Sequence, residues 1–139
     1  MAGSYRILAH TADTGLEVEA DTLGSLFEWA GRGMFELMFD LGGVDAARSI
    51  EVRVESSQVD ELLVDVLSEL LYVAESADVV PCRFVATEAT ATHVALAVGV
   101  VPVETAVLIG PPIKAVTYHD LSVERRSDGT WMAHVVFDV

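Results

Sequence analysis

The chain has 139 residues, with eight Lys and Arg against 22 Asp and Glu, a formal charge of −14 and a sequence pI near 4.4. That length can bury a core without staples, and the single cysteine, Cys82, excludes an internal disulfide or a multi-cysteine zinc site. A strongly negative field repels phosphate backbones, so unaided nucleic-acid binding is disfavoured and cations or basic proteins are the natural partners. No leader-like segment opens the chain and no run approaches the roughly 20 apolar residues of a membrane span. The expectation is one cytoplasmic domain over residues 1–139 with no membrane association.

The apolar run Tyr5 to Ala9 and the alternating run Leu16 to Ala20 read as two strands around a polar turn, His10-Thr11-Ala12-Asp13-Thr14-Gly15. An Asp shortly before Gly serves an Asx-type turn; the same stretch also sets a carboxylate and an imidazole where a ligand site could use them. Asp21 or Thr22 can cap a helix with apolar positions at Leu23, Leu26, Phe27, Ala30, Met34, Leu37, Met38 and Leu41, ended by Gly42-Gly43. Ile50 to Glu55 alternates as a half-buried strand.

Ser57 and Asp60 have capping-box spacing at the start of a second helix, whose apolar face is Val59, Leu62, Leu63, Val66, Leu67, Leu70, Leu71 and Ala74. Asp60, Glu61, Asp65, Glu69 and Glu75 lie off that face without lysine partners at helical spacing. Such a surface is either simply solvated or a docking face for a basic partner.

Pro81 to Glu88 and His93 to Val101 form a hairpin pattern in which Val94, Leu96, Val98 and Val100 share a face, and Cys82 is a small core residue. Pro102 to Pro112 reads as a rigid loop without a helix signal. Ile113 to Glu124 and Trp131 to Val139 read as strands joined by an Asp-Gly hairpin turn at Ser127 to Thr130. The predicted class is α+β, two helices on a mixed, largely antiparallel sheet.

Chemistry could sit at three places: His10 to Asp13, Lys114 to Asp120, and the closing Phe137-Asp138-Val139. The Val139 carboxylate lies one residue from the Asp138 side chain; joined by Asp13 across the fold, these would make an oxygen-rich site for a hard cation. His119 reads as a satisfied strand residue, and His93 and His134 have no carboxylate at ligand spacing. No nucleophile elbow or phosphate-binding loop is present.

His10-Thr11-Ala12-Asp13, the stretch Met34 to Asp40, the helix Leu62 to Tyr72, the run Ile113-Lys114-Ala115-Val116-Thr117-Tyr118-His119-Asp120-Leu121 and the closing Phe137-Asp138-Val139 occur in the order of the archease family. The sequence resembles that family over essentially its whole length. The resemblance implies a duplicated strand-helix-strand-strand fold and a non-enzymatic role activating RtcB-type tRNA-splicing RNA ligases. In that role the protein speeds transfer of guanylate from GTP to a ligase histidine and supports multiple turnover. It further implies that Asp13, Asp138 and Val139 hold a divalent metal, with Ca²⁺ first and Mg²⁺ or Mn²⁺ as substitutes, and that Lys114 and His10 serve the activation. The residues alone leave a second class open, a small metal-dependent phosphoester hydrolase with Asp13 and Asp138 on the metal and His10 or His119 as base.

Overall fold

A computed structural model describes residues 2–9 and 13–139, with positions 9 and 13 as backbone only. The chain is α+β, and every strand pairing among the described residues is antiparallel. Strands β1 (Gly3–Ala9) and β2 (Asp13–Ala20) lead into helix α1 (Leu23–Glu36) and the short strand β3 (Phe39–Asp40). Strand β4 (Arg48–Glu55) precedes helix α2 (Val59–Ala77) and the hairpin β5 (Val79–Ala89) and β6 (His93–Pro102). A 3₁₀ turn (Val103–Thr105) and the strands β7 (Val107–Leu108), β8 (Ala115–Val116), β9 (Ser122–Arg125) and β10 (Trp131–Asp138) complete the chain.

These strands divide into a five-stranded sheet in the order β1-β2-β10, with β8 and β9 both pairing β10, a three-stranded sheet β4-β6-β5 and a two-stranded ribbon β3-β7. Helix α1 packs against β1 and β2 of one sheet and β5 of the other, while α2 covers β4 and β5. The expected stripes do the burying: Leu26, Phe27, Ala30 and Met34 from α1, with Leu62, Leu63, Val66, Leu67 and Leu70 from α2, are fully buried. Between the sheets they meet Leu16, Val18, Val98, Val100, Val135 and Phe137. Cys82 is buried as expected, and its burial pushes the thiol pKa up.

Several boundaries differ from the sequence reading, each because a non-local partner takes the backbone. Helix α1 ends at Glu36, not beside Gly42-Gly43. The Met38 carbonyl instead accepts the Ile109 and Gly110 N–H groups, and Phe39–Asp40 pairs with Val107–Leu108. The supposed loop 102–112 therefore contains a 3₁₀ turn and a strand. Gly110 is needed there, since a Cβ would fall inside the contact distance of the Leu37 carbonyl oxygen.

The N-cap of α1 is Thr22, whose Oγ1 accepts the Ser25 N–H at 3.1 Å. The capping box at α2 does not form: Gln58 is the N-cap with no side-chain bond, and Ser57 donates to Glu61 Oε2 at 2.9 Å. Ile113 to Glu124 is not one strand. Asp120, at φ 51°, reverses the chain in a turn closed by Leu121 N–H to the Tyr118 carbonyl, which separates β8 from β9. Conversely, β2 runs back through Gly15, Thr14 and Asp13, residues read as a turn.

Candidate functional site

The order of the five-stranded sheet brings distant parts of the chain to one end. Along the β2–β10 ladder Val135 faces Leu16, Val136 faces Gly15, Phe137 faces Thr14 and Asp138 faces Asp13. Gly15 permits the approach: a Cβ at this position would stand 2.9 Å from the Val135 carbonyl oxygen. Directly opposed residues in an antiparallel pair have Cα atoms about 4.5–5.5 Å apart. The backbones of Asp13 and Asp138 are thus immediate neighbours although they come from opposite ends of the chain.

On the other edge of β10, Asp138 is the register partner of Ala115, and the Lys114 N–H donates to the Asp138 carbonyl at 2.7 Å. Two residues along, the Thr117 N–H and Oγ1 both donate to the Val136 carbonyl at 2.9 Å, anchoring β8. Strand alternation settles what points outward. Phe137 is fully buried in the core, whereas Asp138, on the opposite face of β10 and beyond the buried Val136, is exposed, as is Lys114. Val139, half buried, continues beyond the last ladder pair.

Of the candidate residues, the register gathers Asp13, Asp138 and Lys114 on three adjacent segments, with Val139 following on. His10 lies outside the described residues, as do Thr11 and Ala12. Among the described residues no three His, Cys, Asp or Glu side chains cluster as ligands. What the arrangement offers is oxygen donors at a sheet end, the donor type suited to a hard cation.

The remaining histidines have definite partners. His119 is in a turn instead of on a strand, where its Nε2 pairs with Asp120 Oδ2 at 3.2 Å, both side chains largely exposed. His134 Nδ1 is 2.7 Å from the Asp120 carbonyl oxygen. His93 does have a carboxylate neighbour: its Nε2 is 2.7 Å from Glu88 Oε2 across the β5–β6 hairpin. A hairpin brings residues five apart together although a helix or single strand would not, which is why the linear spacing missed the pair.

Sequence reasoning also missed Glu28, a carboxylate buried on α1. Its Oε2 accepts the Ala86 N–H at 2.6 Å, at a β5 bulge, and its Oε1 has no partner among the described residues. Burial raises its pKa, an effect the Ala86 hydrogen bond only partly offsets. Its signal was available in outline: Glu28 follows Phe27 and lies two residues from Ala30 on a helix whose other flank is apolar, but only the bulge explains a carboxylate there.

The family model described as the Archease protein family (MTH1598/TM1083) matches residues 5–139. The protein archease of Methanosarcina acetivorans is 36% identical over 146 residues, covering 97% of this chain and 95% of that protein. The protein archease of Thermococcus gammatolerans is 34% identical over 134 residues, covering 94% of each. The solution structure of Methanobacterium thermoautotrophicum protein 1598 is similar with a TM-score of 0.75 at 29% identity, over 97% of this chain and 98% of that one. The crystal structure of a Thermotoga maritima archease, described as a possible chaperone, shares the fold with a TM-score of 0.63 at 24% identity, over 96% of each chain. With the family model matching residues 5–139 and relatives above 30% identity over almost their full length, this chain belongs to the archease family.

Proposed function

We propose that this protein is a non-enzymatic, metal-binding cofactor that activates an RtcB-type RNA ligase in the cytoplasm, promoting ligase guanylylation with GTP during tRNA splicing and RNA repair. The observation that supports this most directly is the β2–β10 register, which sets Asp13 opposite Asp138 beside Lys114. Asp13, Asp138 and Val139 would hold the divalent ion, Ca²⁺ before Mg²⁺ or Mn²⁺, because an all-oxygen donor set suits a hard cation and Ca²⁺ accepts a larger, less regular shell. When bound, the ion supplies positive charge that relieves carboxylate repulsion at this end of the sheet.

The residues of the chain do the rest. A ligase that handles RNA and GTP phosphates has a cationic active site, which an acidic tip can enter. There Lys114 contacts a nucleotide phosphate or a ligase carboxylate, and His10 serves the activation in the role that the family resemblance implies. Activation requires that the tip bind the guanylylation-competent state of the ligase more tightly than the other state, since equal affinity shifts no population.

The test is a guanylylation and ligation assay at limiting ligase, with and without this protein. Wild type should stimulate, Asp13→Ala and Asp138→Ala should abolish stimulation with the fold intact by circular dichroism, and Lys114→Ala should weaken it. Calorimetry with CaCl₂ should show a binding heat that both aspartate variants lose. A folded double aspartate variant that stimulates at the wild-type rate would refute the tip mechanism. Hydrolysis of phosphoesters by the isolated protein with Mg²⁺ or Mn²⁺ would refute the non-enzymatic role.

A further inference from the structure

An open groove of about 780 Å³ runs between the C-terminal half of α2 and β8. Phe39, Leu71, Tyr72, Val103 and Val116 line it, and Tyr72 is 66% exposed. The apolar surface extends beyond the groove. Phe39 pairs with Leu108, which shares its face of the ribbon and is 63% exposed, while Val107 and Ile109, to either side of it in sequence, are 61% and 60% exposed. Strand β7 pairs only with β3 among the described residues, so its other edge is open. Isolated exposed apolar side chains are ordinary, but a contiguous patch of this kind rimmed by charge marks an interface.

The rim identifies the partner's chemistry. Glu75 and Asp78 border the groove and Glu104 follows Val103, and none of the three makes an ion pair among the described residues. Across the ridge formed by Ser68 and Tyr72 lies a second depression lined by Glu55, Asp65 and Glu69 with Arg53, a cation already paired with Glu51 and Glu88. Carboxylates therefore flank the apolar floor on the α2 side, against one lysine, Lys114, at the β8 wall. A chain of charge −14 repels an RNA, an anionic membrane and a second copy of itself.

We propose that this groove, extended by Leu108 beside Phe39, docks a basic amphipathic segment of the partner protein, its apolar side chains on Phe39, Leu71 and Tyr72 and its Lys or Arg residues against Glu75, Asp78 and Glu104. The inference rests on the reading that the chain acts through a partner protein. Lys114 joins the two surfaces, since it lines the groove while its N–H holds Asp138. A segment seated in the groove places its own domain beside the acidic tip, and Tyr72 offers a ring face to one of its cations.

The probe is a synthetic amphipathic Leu/Lys peptide titrated into the ¹⁵N-labelled full chain, with a Leu/Glu peptide of the same pattern as control. The Leu/Lys peptide should shift amides of 68–78, 103–109 and 113–116 and lose affinity as salt rises. Tyr72→Ala and Glu75→Lys, both at exposed positions, should each weaken it about tenfold or more. An Asp13→Ala/Asp138→Ala chain should bind it as wild type does, which separates the groove from the tip. Equal binding of the Leu/Glu peptide, shifts spread over the whole acidic surface, or wild-type affinity in Tyr72→Ala would overturn the proposal. So would movement of the same amides on raising protein concentration alone, which assigns the groove to a second copy, or on adding a short RNA.

Discussion

Glu28 provides a pH-dependent test of how the two sheets are joined. The carboxyl is only 7% exposed, with Oε2 on the Ala86 N–H at 2.6 Å and Oε1 unpartnered among the described residues. Ala86 sits where the β5–β6 register shifts, so its N–H depends on the helix side chain. Glu28→Ala removes the acceptor from that part-buried N–H, which costs about 1–2 kcal/mol. Glu28→Gln retains a carbonyl acceptor and should cost less than about 1 kcal/mol.

Because burial raises the folded-state pKa above the ordinary 4.5, the folded chain holds a proton that the unfolded chain has released across the interval between the two values. The contribution of Glu28 is therefore full below the unfolded value and is lost as pH rises through the folded one. Urea unfolding of wild type and Glu28→Gln between about pH 4 and 8 should show the wild type losing stability relative to the variant as pH increases. Subtracting the two curves cancels the other carboxylates. Parallel curves would show that the buried carboxyl is not perturbed and would refute the reasoning.

Tyr5 donates to Glu36 Oε1 at 2.9 Å, and burial, that hydrogen bond and the Glu36 charge push its pKa up to about 12. Tyr5→Phe should remove the latest step in a spectrophotometric tyrosine titration and cost about 0.5–1.5 kcal/mol in denaturant unfolding. The raised value means that the Tyr5 contribution is present below pH 10 and is lost as pH climbs towards 12. Gly110→Ala should destabilise by about 1–3 kcal/mol through its clash with the Leu37 carbonyl, with the largest amide shifts in β3 and β7 by NMR. The Cys82 thiol, buried and shifted upward, should react with a disulfide reagent only at the rate of opening, so unfolding in urea should speed labelling sharply.

Periodicity within the chain was enough to specify both helices, their buried faces, the β5–β6 hairpin and the α+β class, because burial of a local stripe depends on spacings of three and four or of two. Leu26, Phe27, Met34, Leu63 and Leu67 are core for that reason alone. The candidate carboxylates, too, were legible as residue types in order. Their meeting was not legible in the spacing and was implied only by the resemblance to the archease family. Asp13 lies against Asp138 only because β10 returns beside β2 in one particular register, and a shift of a single residue would oppose Asp138 to a different position. The same non-local pairing decided where α1 stops, when Met38 gives its carbonyl to Ile109 and Gly110, and where the run after Ile113 breaks into two strands. Glu28 belongs to this second group, since its partner is a bulge on another sheet. So does the groove, whose walls come from α2, β3 and β8, and so does β7, which looks like a loop until the ribbon with β3 forms. Tertiary contacts assign these because each unpaired N–H and each exposed apolar face is defined by what packs against it, not by its neighbours along the chain.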